Sequence, residues 1–384
     1  MTISDKINKY VPPLLVAIIQ VKKNIENSIS KIDDDLLPST TQKSPQLDIF
    51  QSFLCNTNDE KDKLSNTIEL WDSIPKYAIT QQAMNKMRIK EGYLPILERK
   101  FTYKGDEYLI KVSPALIEVN KDTKETKAFY PSANEELVEY ALLKIASEQE
   151  NGFFNKSKYK SGVTFSLHLL RAELKKRGHT RSYYEIVRSL NILAKSNIEI
   201  LLTNGKKLIG EGFATSNYLS YLASVSREKL NENPEEKWEA HFHYLITNGI
   251  DTVEFRQYNY DKMMLNSSPL ARWLHKKLVH NYTNASFMIT YSISLNTIAS
   301  ESGLLDYKRK NDAITKLKYS LEELKKNRVL SSFVQSEDFR GLQNKIINPK
   351  YTLSPHQEFI KEVKASNKRR KDSIDPQIIP KKLR

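Results

Sequence analysis

His241 and His243 stand one residue apart in the run WEAHFHYLI. On a strand, alternate side chains project from one face, so two imidazoles at this spacing could chelate a divalent cation. Tyr307 precedes Lys310 by three residues; a tyrosine oxygen placed there could attack a phosphodiester while a metal polarises the scissile phosphoryl group. Both motifs are short and arise easily by chance. The competing reading makes the histidines outward or partly buried strand residues and starts a helix at Tyr307. His275 and His280 lie five apart and share a helical face poorly, so they read as packing or phosphate contacts. The sequence holds no GxxxxGKS/T loop, GxGxxG, nucleophile elbow or HExxH, so nucleotide hydrolysis and the commoner hydrolase chemistries have no support. The expectation is a non-enzyme, with no metal and no cofactor.

The remaining chemistry is that of cations. The formal net charge is +14, an excess that normally faces nucleic acid or an anionic membrane surface. Residues 156–195 hold ten Lys/Arg against Glu173 and Glu185, residues 307–328 eight against Asp312, Glu322 and Glu323, and residues 361–384 nine against Glu362, Asp372 and Asp375. The rest of the chain is net acidic, so the positive charge is localised. No long basic amphipathic helix ends in large apolar anchors, which argues against a membrane partner.

Helix pairs would position these cations. Ser132 opens SANEELVEYALLKIA with Glu135 at the capping-box position, and Leu137, Tyr140, Ala141, Leu142 and Ile145 form its apolar stripe. After a short strand at Val163–Ser166, a basic helix LHLLRAELKKR ends at Gly178, and Thr180 opens a second helix reaching Lys195. Tyr183, Ile186, Val187, Leu190 and Leu193 share its buried face, leaving Arg181, Ser182, Glu185, Arg188 and Lys195 outward. The strands IEILLTN and KLIGEGFAT flank the turn signal Asn204-Gly205. A helix pair followed by a hairpin is the element order of a winged helix, and the outward face could enter a major groove. The order recurs from Trp238: a strand, a helix opened by Pro269, the strand FMITYSISL, a short helix, a basic helix Asp306–Lys326, and closing strands Arg328–Phe333 and Ile346–Leu353. In that last helix Ile314, Leu317, Leu321 and Leu324 are the buried stripe, with Lys308, Arg309, Lys310, Lys316 and Tyr319 available.

A chain of 384 residues, 39% hydrophobic, can bury cores for two domains. The expected fold class is α+β with tandem winged-helix domains at 130–228 and 236–355. Around them the reading sets a flexible region at 1–70 with a short apolar helix, a lead-in rich in β-hairpins at 71–129 turning at Gly105-Asp106, and a basic tail at 356–384 whose end, from Lys368, is a disordered arm. Val11–Val21 is too short to span a bilayer, and no signal peptide is read. The lone Cys55 fits a reducing cytoplasm.

The strings GHTRSYYEIVRSLNIL and SPLARWLHKKLVHNYTNAS, with YPSANEELVEYALLKIA, SGVTFSLHLLRAELKKRG, FRQYNYDKMM and YTLSPHQEF, resemble the RepA-type plasmid replication initiators of Gram-negative bacteria. The resemblance spans residues 92–371. It implies a theta-type initiator that binds repeated double-stranded DNA sites at an origin, opens A·T-rich duplex, and helps recruit the host replication initiator and helicase. It also implies a possible homodimer that represses its own promoter. It sets Arg181, Tyr184 and Arg188 at the first recognition helix; Arg309, Lys310 and Lys316 fall by position in the second. Arg181 and Arg188 could each fork onto guanine O6 and N7, worth about 1–3 kcal/mol of discrimination, whereas lysines more often neutralise phosphate. Arg171, Lys175, Arg177, Lys195 and Lys308 complete the expected DNA-binding set. Two alternatives stand beside this one: a rolling-circle nickase using His241, His243 and Tyr307, and a winged-helix transcription repressor.

Overall fold

The computed structural model describes residues 63–374 apart from 90–91, 121, 149–150, 156, 205–206, 225–235, 253, 285, 308 and 341–345. Val11–Val21, Cys55, Gly205 and Lys308 thus lie outside the described residues. The described residues begin with β1 (Leu64–Ile68), α1 (Glu69–Asp72) and α2 (Gln81–Met87), then β2 (Leu97–Tyr103), β3 (Asp106–Ser113), β4 (Ala115–Asn120) and β5 (Glu125–Phe129). Next come α3 (Ala133–Ala146), β6 (Gly152–Asn155), β7 (Lys160–Ser166), α4 (Leu167–Lys176), α5 (Tyr183–Lys195), β8 (Asn197–Asn204), β9 (Lys207–Asn217) and β10 (Leu219–Ser224). The second half runs β11 (Lys237–Phe242), α6 (Tyr244–Asp251), β12 (Phe255–Asn259), α7 (Tyr260–Met264), α8 (Pro269–Asn281), β13 (Tyr291–Ser294), α9 (Leu295–Ser302), α10 (Lys310–Lys326), β14 (Leu330–Arg340), β15 (Ile346–Pro355) and α11 (Gln357–Ile374).

This is a mixed α+β fold of helices and small antiparallel sheets. The described strands form sheets ordered β2-β3-β8-β9, β10-β11-β7-β6 and β13-β15-β14, with the pairs β1-β12 and β4-β5. Structure is already ordered at β1, earlier than the expected start near Trp71, because Leu64 pairs with Asn259 in a strand from the far half of the chain. The β2–β3 turn is also one residue off its expected place. Lys104 and Gly105 both have positive φ, 50° and 92°, as a two-residue primed turn requires.

The helix α3 is buried along most of its length. Its apolar stripe is buried as expected, but so are Glu135, Glu136, Glu139 and Lys144. Buried charge of this kind is tolerated only when it is paired and hydrogen-bonded, and each carboxylate meets partners. Glu135 accepts from the Ser132 N–H (2.9 Å), the Ser132 hydroxyl (2.8 Å) and the Ser189 hydroxyl (2.7 Å). Glu136 takes a 2.6 Å ion pair from Arg272 of α8 and a 2.9 Å hydrogen bond from Tyr140. Glu139 accepts from the Trp71 indole at 3.0 Å and faces Lys76 at 3.9 Å. Burial pushes the Glu139 carboxyl up and the Lys76 ammonium down, each opposed by the other's charge. Beside them Lys276 pairs with Asp72 at 2.7 Å and sits 3.7 Å over the Tyr140 ring. Burial opposes ionisation of Asp72, but Lys276, His280 and Lys76 together hold its carboxyl well below the usual range. Charged groups from α1, α3 and α8 thus join the two halves of the chain, most of whose buried apolar residues form one cluster, with Ala115, Ile117 and Ile192 in a small second one.

Candidate nucleic-acid interface

The first helix pair is α4 and α5. Ser166 starts α4, its hydroxyl accepting from the Leu169 N–H at 3.1 Å. Gly178, at φ 80°, ends it: the Gly178 N–H donates to the Lys175 carbonyl (3.0 Å) and the His179 N–H to that of Leu174 (2.9 Å), a Schellman motif that satisfies the last carbonyls. The second helix starts at Tyr183, later than expected, because Ser182 rather than Thr180 is its cap. The Glu185 N–H donates to the Ser182 hydroxyl oxygen (3.2 Å), and the Glu185 carboxylate accepts from the Ser182 N–H (2.8 Å). This reciprocal capping box lengthens the connection to residues 177–182. The Ser182 hydroxyl also donates to that carboxylate at 2.8 Å, and it and the Ser182 N–H hold the Glu185 carboxyl below its ordinary value.

Ile186, Ser189, Leu190, Ile192 and Leu193 bury the inner face of α5, and the Ser189–Glu135 bond fixes it on α3. On the other side Tyr184 is 61% exposed, and Lys195 is exposed. The Arg188 guanidinium lies 5.8 Å from the Tyr184 ring and 6.0 Å from that of Phe129, half-buried at the edge of the face. Arg171 of α4 stacks 4.7 Å over Tyr183 and donates to the Arg181 carbonyl at 3.1 Å. Arg181 in turn donates to Asn134 (2.8 Å) and the Thr180 carbonyl (2.9 Å). Lys175 is exposed in the last turn of α4. Arg177 differs from these. Its side chain is nearly buried, paired with Glu173 at 3.2 Å and Asp261 at 2.6 Å, which ties α4 to α7.

β8 and β9 follow α5 and pair antiparallel up to Asn204 with Lys207. β10 does not extend that sheet; it pairs with β11 instead.

The second helix pair is α9 and α10, followed by β14 and β15. α10 starts at Lys310 rather than Asp306, with Arg309 as an N-cap that makes no side-chain capping bond. Ala313, Leu317, Ser320, Leu321 and Leu324 are buried, while Ile314 is half-buried. Glu323 accepts from the Ser267 and Ser268 N–H groups at 3.1 and 3.0 Å, so α10 supplies the acceptor that α8 needs at its start. Arg309, Lys310, Asn311, Thr315, Lys318 and Tyr319 are exposed, and Lys316 sits 5.5 Å from the Tyr319 ring. Asn311, Thr315 and Lys318 were not singled out in the sequence, although their spacing of four and three aligns them in one exposed row of α10.

The two-histidine metal reading is not realised. The strand ends at Phe242, and His243 is the N-cap of α6, its Nδ1 accepting from the Leu245 N–H at 3.2 Å. His243 is wholly buried and stacked at 4.4 Å on Trp71, and burial keeps it neutral. His241 instead meets Glu239 at 2.6 Å and the Tyr221 ring at 4.5 Å. Among the described residues no three His, Cys, Asp or Glu gather as a metal cluster, and no helix is long and apolar enough to cross a membrane.

No protein-family model matches the chain, and no curated protein is significantly similar to it. Among solved structures, domains 2 and 3 of RctB are similar in two crystal structures at 11% identity and TM-score 0.41; one comparison covers 68% of this chain and 91% of that one, the other 71% and 94%. The Pi initiator protein in complex with iteron DNA is similar at 11% identity and TM-score 0.32, over 77% of this chain and 99% of that one. These are distant likenesses.

Proposed function

We propose that this chain is a sequence-specific duplex-DNA-binding protein with tandem winged-helix domains, at 130–228 and 236–355, and that it initiates plasmid replication. One observation carries the reading. In each half, a helix with a buried apolar face turns cations and a tyrosine outward and is followed at once by an antiparallel hairpin. A recognition helix and its wing have this order.

The first unit reads bases. Arg188, steered by Tyr184 and Phe129, can fork onto a guanine edge, with Arg181 next to the helix start; Tyr184 adds an apolar and hydroxyl contact. Arg171 holds the helix start in place, and Lys175 and Lys195 neutralise phosphates. Arg177 acts inside the protein, since both its carboxylate partners are close. In the second unit Arg309, Lys310 and Lys316, joined by Lys318, contact the backbone and set the register. The mechanism is binding and deformation of DNA, not covalent chemistry, with no cofactor. The resemblance to RepA-type initiators supplies the biological setting: origin repeats, duplex opening, recruitment of the host initiator and helicase, and a homodimer acting at its own promoter.

The test is nuclease footprinting of the purified protein on DNA flanking its own gene, with permanganate to report melted thymines and Mg²⁺ or Mn²⁺ present. Protection in phased repeats beside permanganate-reactive A·T-rich DNA, with both strands intact, is the expected result. Protection without melting would make it a repressor. A strand-specific nick joined to Tyr307 would overturn the non-catalytic reading.

A further inference from the structure

The last helix carries a feature that the two recognition units do not use. Lys361, Lys364, Lys368 and Lys371 of α11 are spaced three, four and three residues apart, which aligns them in one row about 15 Å long at the α-helical rise. All four are exposed. The opposite face is buried through Phe359, Ile360, Val363 and Ser366.

The helix is firmly mounted. Glu358 pairs with Lys262 (2.8 Å) and Arg328 (2.7 Å), and Glu362 with Lys262 (2.8 Å) and Asn259 (2.9 Å). Asn367 accepts from Arg256 at 2.6 Å and donates to the Thr283 carbonyl at 2.7 Å, and Arg369 donates to Gln257. The described carboxylates of α11 are therefore turned to the body of the protein. Among the described residues none of the four lysines has an acidic partner within ion-pair distance.

Like charges at these spacings each destabilise a helix by a few tenths of a kcal/mol. The row is thus locally unfavourable and held in place by the packing behind it; a polyanion laid along it would relieve the repulsion. Its exposed neighbours are Gln357 and Ala365, so it has no large apolar anchor to enter a membrane. Lysines are point charges suited to phosphate rather than to forked recognition of bases.

We propose that this lysine row is a third DNA contact, binding the phosphate backbone of duplex DNA independently of sequence. The proposal rests on the DNA-binding reading above.

Full-length protein with Lys361→Gln, Lys364→Gln, Lys368→Gln and Lys371→Gln combined, and a second variant with Arg at all four positions, would be titrated onto a random-sequence duplex over a range of salt concentrations. At about 0.9 counterions per phosphate contact, the Gln variant's slope of log K against log salt becomes shallower by about 3 to 4, while the Arg variant keeps the wild-type slope and both keep the wild-type thermal midpoint or exceed it. A Gln variant with the wild-type slope would overturn the row and leave DNA binding by the helix pairs standing. Loss of slope in the Arg variant as well would overturn the charge mechanism. No salt-dependent duplex binding by the wild type would remove both the row and the reading beneath it.

Discussion

The two helix-pair units share an order of elements and differ in how rigidly they hold their cations. In the first, a capping box fixes the start of α5, Arg171 and Arg181 are hydrogen-bonded to neighbours, and Arg188 lies between two rings. In the second, Arg309 caps nothing with its side chain, and the outward cations of α10 are mostly lysines. The sheets differ too: β13 pairs with β15 of the second hairpin, whereas β7 pairs with β6 and β11 and leaves the first hairpin to β2 and β3. A planar guanidinium held in advance loses less freedom when it forks onto a base, while a flexible ammonium serves any phosphate. On the DNA-binding function proposed above, we assign specificity to the first unit and sequence-independent grip to the second.

The largest effect is expected at the seam that keeps the two units in one body. Arg272→Ala leaves Glu136 buried without its ion pair, which should lower unfolding stability by about 3–5 kcal/mol in denaturant titrations; adding Glu136→Gln should recover part of that loss. If Arg272→Ala costs nothing, the two units do not depend on this seam.

The fold should also be acid-sensitive where the His275 ring of α8 packs edge-on against Tyr258 and Phe359. Burial, with Lys262 and Lys276 nearby, pushes the His275 imidazole down to about 3. The folded state therefore binds fewer protons than the unfolded one below about pH 6.5, the unperturbed value. Stability from this group is present above pH 6.5 and falls as pH drops toward 3, by up to about 1.4 kcal/mol per pH unit. His275→Phe should flatten that part of the stability–pH curve.

Between the units, Arg188→Ala should relax base preference at one position of the bound site, at a cost of about 1–3 kcal/mol there. Lys310→Ala should weaken all sites alike and reduce the salt slope by about one. Binding-site selection on both variants separates them, and a uniform loss from Arg188→Ala would contradict the role given to the first unit.

The smallest effects lie at the two helix ends. Gly178 and Arg328 both have positive φ, 80° and 58°, after α4 and α10. Gly178→Ala should cost about 1 kcal/mol. Arg328→Gly should release similar strain but lose the 2.7 Å pair with Glu358, leaving thermal stability little changed.

Much of each unit was legible because local patterns decide it. The stripes of α5 and α10, the glycine after α4 and Pro269 at the start of α8 follow from periodicity and capping. What was not legible depends on distant partners. The run LSNTI looks like linker because Ser65, Asn66 and Thr67 are polar, yet all three are buried against β12. Nothing beside Glu136 or Glu139 announces Arg272 or Lys76, so α3 reads as an ordinary amphipathic helix. WEAHFHYLI reads as one strand, whereas its second half is the start of a helix capped by His243, which accepts from the Leu245 N–H. The residues from Lys368 read as a disordered arm for their charge, but α11 continues through them to Ile374, seated by Phe359, Ile360 and Val363; residues 375–384 lie outside the described residues.

The most direct test of sequence-specific binding is the ratio of affinities, at one salt concentration, for a duplex obtained by binding-site selection and for a random duplex of equal length. The account predicts a ratio of about 10³ or more, reduced by Arg188→Ala and unchanged by Lys310→Ala. A ratio near one would contradict it, leaving a basic protein that grips nucleic acid without reading it.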